Sequence, residues 1–175
     1  MARFVAFLRA VNLGRRTVPM GTARDVLEKL GLDEVASFAN SGNLLFTTTG
    51  NASELEAAIR SALEDVFGFE LTTFVRTAKQ VQALATASPF GVIAANHTHF
   101  GLLPLTPLTA KEKKAVTHLS NDHDEVMVRG RDVHWLIRSK STETTLGPKQ
   151  WKDALPGNPT TARNMTLLVR LATRL

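Results

Sequence analysis

The sequence predicts an α+β fold: two ferredoxin-like β-α-β-β-α repeats packed together, with antiparallel sheets and helices on one face. Three observations carry this. Apolar periodicity alternates between 2 and 3.6 in the order strand, helix, strand, strand, helix. That order recurs at a period of roughly 90 residues. A turn signal also splits the middle strands of each repeat, at Ser41-Gly42 and at Gly130-Arg131.

The first repeat opens with an apolar run over 3–10, bounded by Asn12 and Gly14, which predicts a buried strand. Ala23, Val26, Leu27 and Leu30 then fall at helical spacing between Pro19 and Gly31, a start and a stop signal. Val35–Asn40 and Asn43–Thr48 flank Ser41-Gly42 as a hairpin. Ser53 and Glu56 have capping-box spacing and open a helix with an apolar face of Leu55, Ile59, Ala62, Leu63 and Val66. Glu70–Arg76 follows as a strand, completing the ferredoxin-like order.

Thr77 and Gln80 repeat the capping spacing for a short connector helix containing Val81 and Leu84. His97–Pro104 then predicts a strand, and Thr109 with Glu112 caps a helix carrying Ala115, Val116 and Leu119. Glu125–Arg129 and Asp132–Arg138 form the second hairpin, and a helical segment falls near Pro148–Leu155. Thr161–Arg174 predicts a final amphipathic helix with a core face of Met165, Leu168, Val169 and Ala172. The expected organisation is 1–88 as one repeat with its connector helix and 89–175 as the other with its C-terminal helix. No linker separates them except the stretch Ser88–Asn96, so one intimately packed unit is expected.

Composition narrows the function classes. The 175 residues are 43% hydrophobic and 21% charged, which is globular rather than disordered. There is no cysteine, which excludes disulfides, thiolate zinc sites and cysteine nucleophiles and fits a cytoplasmic protein. The apolar opening is too short for a signal peptide, and no segment approaches the length of a membrane span, so no membrane partner is expected. Net charge is +5. Nine basic residues balance nine acids in 1–88, whereas 89–175 carries twelve against seven. A basic excess of this kind is either a solvated surface or an anion-binding one.

Four clusters are candidates for chemistry. Arg9 to Arg16 joins a strand to a helix and contains Asn12, Gly14 and Arg15. Such a loop offers backbone N–H groups and guanidinium forks to a phosphate or carboxylate, although it matches neither a Walker A loop nor a dinucleotide fingerprint. The alternative is a solvated turn. Asn40-Ser41-Gly42-Asn43 reads mainly as a turn; Ser41 lacks the elbow and base of a catalytic serine. Thr160 to Asn164 opens the predicted last helix, where the cation of Arg163 would oppose the helix dipole and so want a carboxylate or a bound anion. Among histidines, His97 and His99 share one strand face and His123 sits between Asp122 and Asp124, but no third ligand can be assigned, so no metal is expected. Lys111, Lys113 and Lys114 read as an outer helix face. With 6% aromatic residues and no tyrosine, stacking-based nucleic-acid recognition is disfavoured, while backbone binding stays open.

Three ordered motifs resemble one bacterial family, catalogued as domain of unknown function 1697. Phe4-Val-Ala-Phe-Leu-Arg-Ala-Val-Asn-Leu-Gly14 resembles its opening "YvALLRGINVGG". Phe38-Ala-Asn-Ser-Gly-Asn43 resembles "TYIQSGNVvF", and Thr161-Ala-Arg-Asn164 resembles "TxRNxxT". The sequence departs at Ala10 and Arg15, where the family has Gly, at Phe38 for Tyr, and at Met165, where an aromatic is usual; the motif's last Thr is displaced. The resemblance implies a two-repeat ferredoxin-like fold and no established reaction, substrate or cofactor. It also implies that Arg9, Asn12, Gly14, Ser41, Gly42, Asn43, Arg163 and Asn164 belong to a shared pattern.

The expected function is binding of a phosphate-bearing or other anionic ligand, nucleic acid among the options, by Arg9, Asn12, Gly14, Arg15, Ser41, Asn43, Arg163 and Asn164, without a cofactor. An enzyme acting on a small anionic metabolite at the same site is the alternative, weakened by the lack of a general acid/base in these clusters. A third reading makes the shared polar residues purely structural.

Overall fold

The computed structural model describes residues 1–9, 11, 14 and 16–175. The first half runs β1 (Ala2–Leu8), α1 (Met20–Lys29), β2 (Asp33–Ser37), β3 (Asn43–Thr48), α2 (Ala52–Phe67), β4 (Thr73–Thr77) and α3 (Ala78–Thr86). The second runs β5 (Thr98–Pro104), α4 (Ala110–Thr117), β6 (Asp124–Arg129), β7 (Asp132–Ile137), a 3-10 turn at Ser141–Glu143, α5 (Pro148–Ala154), β8 (Thr160–Asn164) and α6 (Met165–Ala172). The strands make two antiparallel sheets, ordered β2-β3-β1-β4 and β6-β7-β5-β8. Counted within each repeat, both orders are second, third, first, fourth, the ferredoxin-like arrangement. The chain divides into two compact units, Met1–Gln82 with Leu171–Leu175, and Ala83–Arg170.

In the first unit, alternation along the strands sends Phe4, Ala6, Leu8, Leu44, Phe46 and Val75 to one face. There they meet Ala23, Val26 and Leu27 of α1 and Leu55, Ile59 and Leu63 of α2. The N-cap of α2 differs from expectation: Asn51 takes that position and its side chain accepts from Glu54 N–H. Ser53 instead donates its hydroxyl to Asn51 Oδ1, and Glu56 accepts the Val75 N–H. Val66, expected on the core face, is 54% exposed. The capping residues of α3 are as expected, with Thr77 and Gln80 bonded reciprocally.

In the second unit, Leu102, Val126 and Val133 pack with Val116 of α4 and Ala154 of α5. The capping box at Thr109 and Glu112 is present. The last predicted helix needs correction at its start: Thr160–Asn164 is strand β8, and the helix begins at Met165. Pro159 disfavours helical geometry at Asn158, the β-branched Thr160 and Thr161 suit a strand, and pairing to β5 supplies the fourth strand of the sheet. The face of α6 shifts accordingly. Leu168 and Leu171 are fully buried, whereas Val169 is 46% exposed.

The second face of each sheet is buried too. In the first unit it carries Val5, Phe7, Asn43, Phe74 and Arg76; in the second, Leu103, His134, Leu136, Thr161 and Arg163. Gly101 lies on that face of the second sheet. A Cβ there would stand 2.6 Å from Leu168 Cδ1 and 3.2 Å from Leu84 Cδ2, so only glycine lets these side chains close on the strand.

Candidate functional site

At one end of the first sheet, three chain segments are tied together by backbone bonds. Leu8 N–H donates to the Gly42 carbonyl at 2.8 Å, and Arg9 N–H donates to the Thr72 carbonyl at 3.0 Å. Gly42 adopts φ +74°, and a Cβ there would stand 2.9 Å from Val11 Cγ2 and 3.0 Å from Leu8 Cβ. The 38–42 turn is therefore pressed against the start of the loop that follows β1. Within that turn Ala39 holds a left-handed φ of 53°, a conformation a non-glycine residue adopts at a cost of about 1–2 kcal/mol. Asn43 offsets this. It is fully buried, and its amide donates to the Phe38 carbonyl at 2.8 Å and to Ser41 Oγ at 2.9 Å.

On this frame Arg9 and Gly14 are exposed and Ser41 is half-buried. Gly14 sits at φ +60°, and among the described residues nothing lies within 4 Å of where a Cβ would be. Arg16 is exposed, with its guanidinium 5.8 Å from the centre of the Phe69 ring. Asn12 and Arg15 lie outside the described residues. The loop delivers the chain into α1, whose N-terminus has no side-chain cap and no acid in its first turn. A helix start without a side-chain cap or an acid carries the partial positive charge of the helix end, and the loop that leads into it is basic in sequence.

The remaining predicted residues belong to the second unit. Arg163 lies in β8 rather than in a first helical turn, so its charge does not oppose a helix dipole. It is 8% exposed, and Nη1 donates to Thr161 Oγ1 at 2.8 Å and to the Ala162 carbonyl at 2.9 Å. Burial pushes its pKa down to about 10, which leaves it charged at neutral pH. Asn164 is exposed and accepts from Thr166 N–H at 2.9 Å, helping to start α6. Arg76 was not among the predicted residues, yet it is the counterpart of Arg163 in the first repeat. It is fully buried in β4, with Nη1 donating to the Val75 carbonyl at 3.1 Å. A shared Thr-x-x-Arg spacing, Thr73 to Arg76 and Thr160 to Arg163, was the available signal.

The histidines pair differently from the sequence pattern. His99 Nε2 lies 3.0 Å from His134 Nδ1, and the Phe90 ring stands edge-on to both imidazoles. His134 opposes Gly101 in the ladder, so the pair is diagonal across two strands and invisible without the register. Burial lowers the pKa of both rings. For His134, repulsion from His99 and Arg129 adds to it, taking the value to about 4. The pair is thus neutral at pH 7, one ring donating to the other. Among the described residues, no group of three or more His, Asp or Glu is placed to hold a metal ion, and no helix is long and apolar enough to cross a membrane.

A family model described as "Protein of unknown function (DUF1697)" matches residues 1–134, a span that includes Arg9, Gly14, Ser41 and Asn43 and stops short of Arg163. No curated protein matches the chain. A solved structure, that of conserved bacterial protein SP0830 from Streptococcus pneumoniae, aligns with a TM-score of 0.77 at 20% identity, over 100% of this chain and 98% of that one. At that identity the likeness shows the fold alone.

Proposed function

The chain belongs to the DUF1697 family of proteins of unknown function, and from that premise we propose that it binds a phosphate-bearing ligand, a nucleotide or a nucleic-acid backbone, at the end of its first sheet. One observation carries the reading: an uncapped helix start, free of acids, opens directly from a loop bearing the exposed Arg9, Gly14 and Arg16. Backbone N–H groups and guanidinium forks in this arrangement suit phosphate oxygens. The 38–43 turn supports that loop through Gly42 and Leu8, and it carries the strained Ala39 beside Asn40 and Ser41. Strain retained in a turn that also supports a basic loop fits a binding surface. In this reading Arg9 contacts the ligand, Gly14 permits its close approach, and Asn43 acts indirectly by holding the turn. Arg163, bonded within its own strand, builds the sheet of the second unit.

The test is titration of labelled single-stranded and duplex oligonucleotides, and of ATP, at two salt concentrations. Arg9→Ala is compared with Lys113→Ala on the exposed side of α4. Binding that Arg9→Ala weakens about tenfold, and Lys113→Ala leaves alone, supports the site. Salt dependence and the preferred probe then distinguish nucleic acid from nucleotide. Equal losses in both variants would mean diffuse charge and no site.

A further inference from the structure

A second set of side chains, in the other unit, has the connectivity of a charge-relay system. His123 Nδ1 lies 3.1 Å from Asp124 Oδ2, and His123 Nε2 lies 2.9 Å from Ser139 Oγ. We propose that Ser139, His123 and Asp124 form a nucleophilic serine site that hydrolyses small acyl esters.

Each member is held for its role. Asp124 is fully buried at the start of β6, and four other donors reach its carboxylate: Trp135 Nε1 at 2.9 Å, Thr144 Oγ1 at 2.6 Å, Thr145 N–H at 2.8 Å and Thr145 Oγ1 at 2.7 Å. Burial raises its pKa, but these bonds together outweigh burial and hold it at about 2. It therefore stays ionised and takes the Nδ1–H of His123, leaving the Nε2 lone pair directed at Ser139. Asn121 Oδ1 fixes the backbone of both residues by accepting the N–H of His123 and of Asp124, each at 2.9 Å. Arg138 N–H donates to the His123 carbonyl at 2.9 Å, and Thr98 Oγ1 donates to the Ser139 carbonyl at 2.9 Å. Among the described residues the serine has one other acceptor in reach, the Lys140 carbonyl, at the longer distance of 3.3 Å. The His123 side chain is 33% exposed and Ser139 half-buried, so an ester can reach the nucleophile and base.

The chemistry is acyl transfer. Ser139 Oγ adds to the ester carbonyl carbon as its proton passes to His123 Nε2, and the carbonyl π pair moves to oxygen. When that pair returns, the bond to the alkoxy group breaks, and the leaving alcohol takes the proton from His123. Water repeats the two steps on the acyl-serine, releasing a carboxylic acid and restoring Ser139. A purely structural clamp of the 138–147 segment would give the same hydrogen bonds with no reactivity.

The experiment separates the two. The full chain is treated with an alkyl fluorophosphonate and the modified peptide located by mass spectrometry, with Ser139→Ala and His123→Gln as variants and thermal melts showing each folded. The expected result is labelling at Ser139, its loss in Ser139→Ala, and labelling slowed roughly 100-fold or more in His123→Gln. Hydrolysis of p-nitrophenyl acetate should follow the same order. An unlabelled wild type, a label on another residue, or unchanged labelling in His123→Gln each overturns the proposal. None of these outcomes bears on the phosphate site of the first unit.

Discussion

Arg76 and Arg163 hold the same place in the two repeats: each lies on the fourth strand of its sheet, faces away from the main helix layer, and donates Nη1 to the carbonyl of the residue before it. The partner across the first strand differs, Val5 for Arg76 and Gly101 for Arg163. Two buried guanidinium groups at equivalent positions point to a shared structural role. Truncation to alanine removes buried hydrogen bonds and leaves a void, so Arg76→Ala and Arg163→Ala should each cost about 2–4 kcal/mol in urea unfolding. A loss under about 0.5 kcal/mol in either would show that the guanidinium is dispensable to its sheet.

Gly42 couples the 38–42 turn to the loop after β1. A methyl group there meets Val11 and Leu8 near 3 Å while φ stays at +74°. Gly42→Ala should destabilise by about 1–3 kcal/mol and weaken phosphate-ligand binding together. Binding unchanged in the folded variant would uncouple turn from loop.

Asp124 makes the stability of the second unit acid-sensitive. Its folded pKa of about 2 lies below the unfolded value near 3.9, so its contribution is complete above about pH 4 and is lost as pH falls toward 2. The contribution is on the order of 2 kcal/mol. Asp124→Asn should flatten the stability profile over that window, measured by denaturant titration from pH 5 to 2. A profile as steep as wild type would contradict this.

His134 acts at milder pH. It is buried and neutral, with a folded pKa of about 4 against an unfolded value near 6.5. Protonation favours the unfolded chain, so stability is highest above about pH 6.5 and declines as pH falls toward 4, by up to about 3 kcal/mol. In His134→Leu this decline should shrink, since the buried titrating ring is gone, along with an Nε2 that has no partner among the described residues. Thermal melts of the two proteins at pH 7.5 and 4.5 make the comparison.

Much of the fold was legible because its signals are local. Period-2 strands, the Ser41-Gly42 and Gly130-Arg131 turns and the caps at Thr77 and Thr109 are all written within a few residues. Strand β8 was not legible. The helical spacing of Met165, Leu168 and Val169 runs on from it, while its pairing with β5 is made across some sixty residues. At α2, Asn51 and Ser53 were both competent caps, and the sequence pattern favoured the wrong one.

The candidate site divides the same way. The loop and turn around Arg9 and Gly42 carry glycines and polar residues in short runs, so they stood out. The His99–His134 pair and the Ser139–His123 contact depend on strand register and on the path of the 138–147 segment, which no spacing rule encodes. The equivalence of Arg76 to Arg163 is legible only once β8 is seen to be the fourth strand of the second sheet.

The most direct test of the phosphate-binding site is the affinity of the full chain for a labelled oligonucleotide and for ATP at low salt, wild type against Arg9→Ala. Binding of at least one probe, weakened about tenfold by Arg9→Ala with the melting temperature unchanged, is the predicted result. No binding of either probe at low salt, or binding indifferent to Arg9, would contradict it.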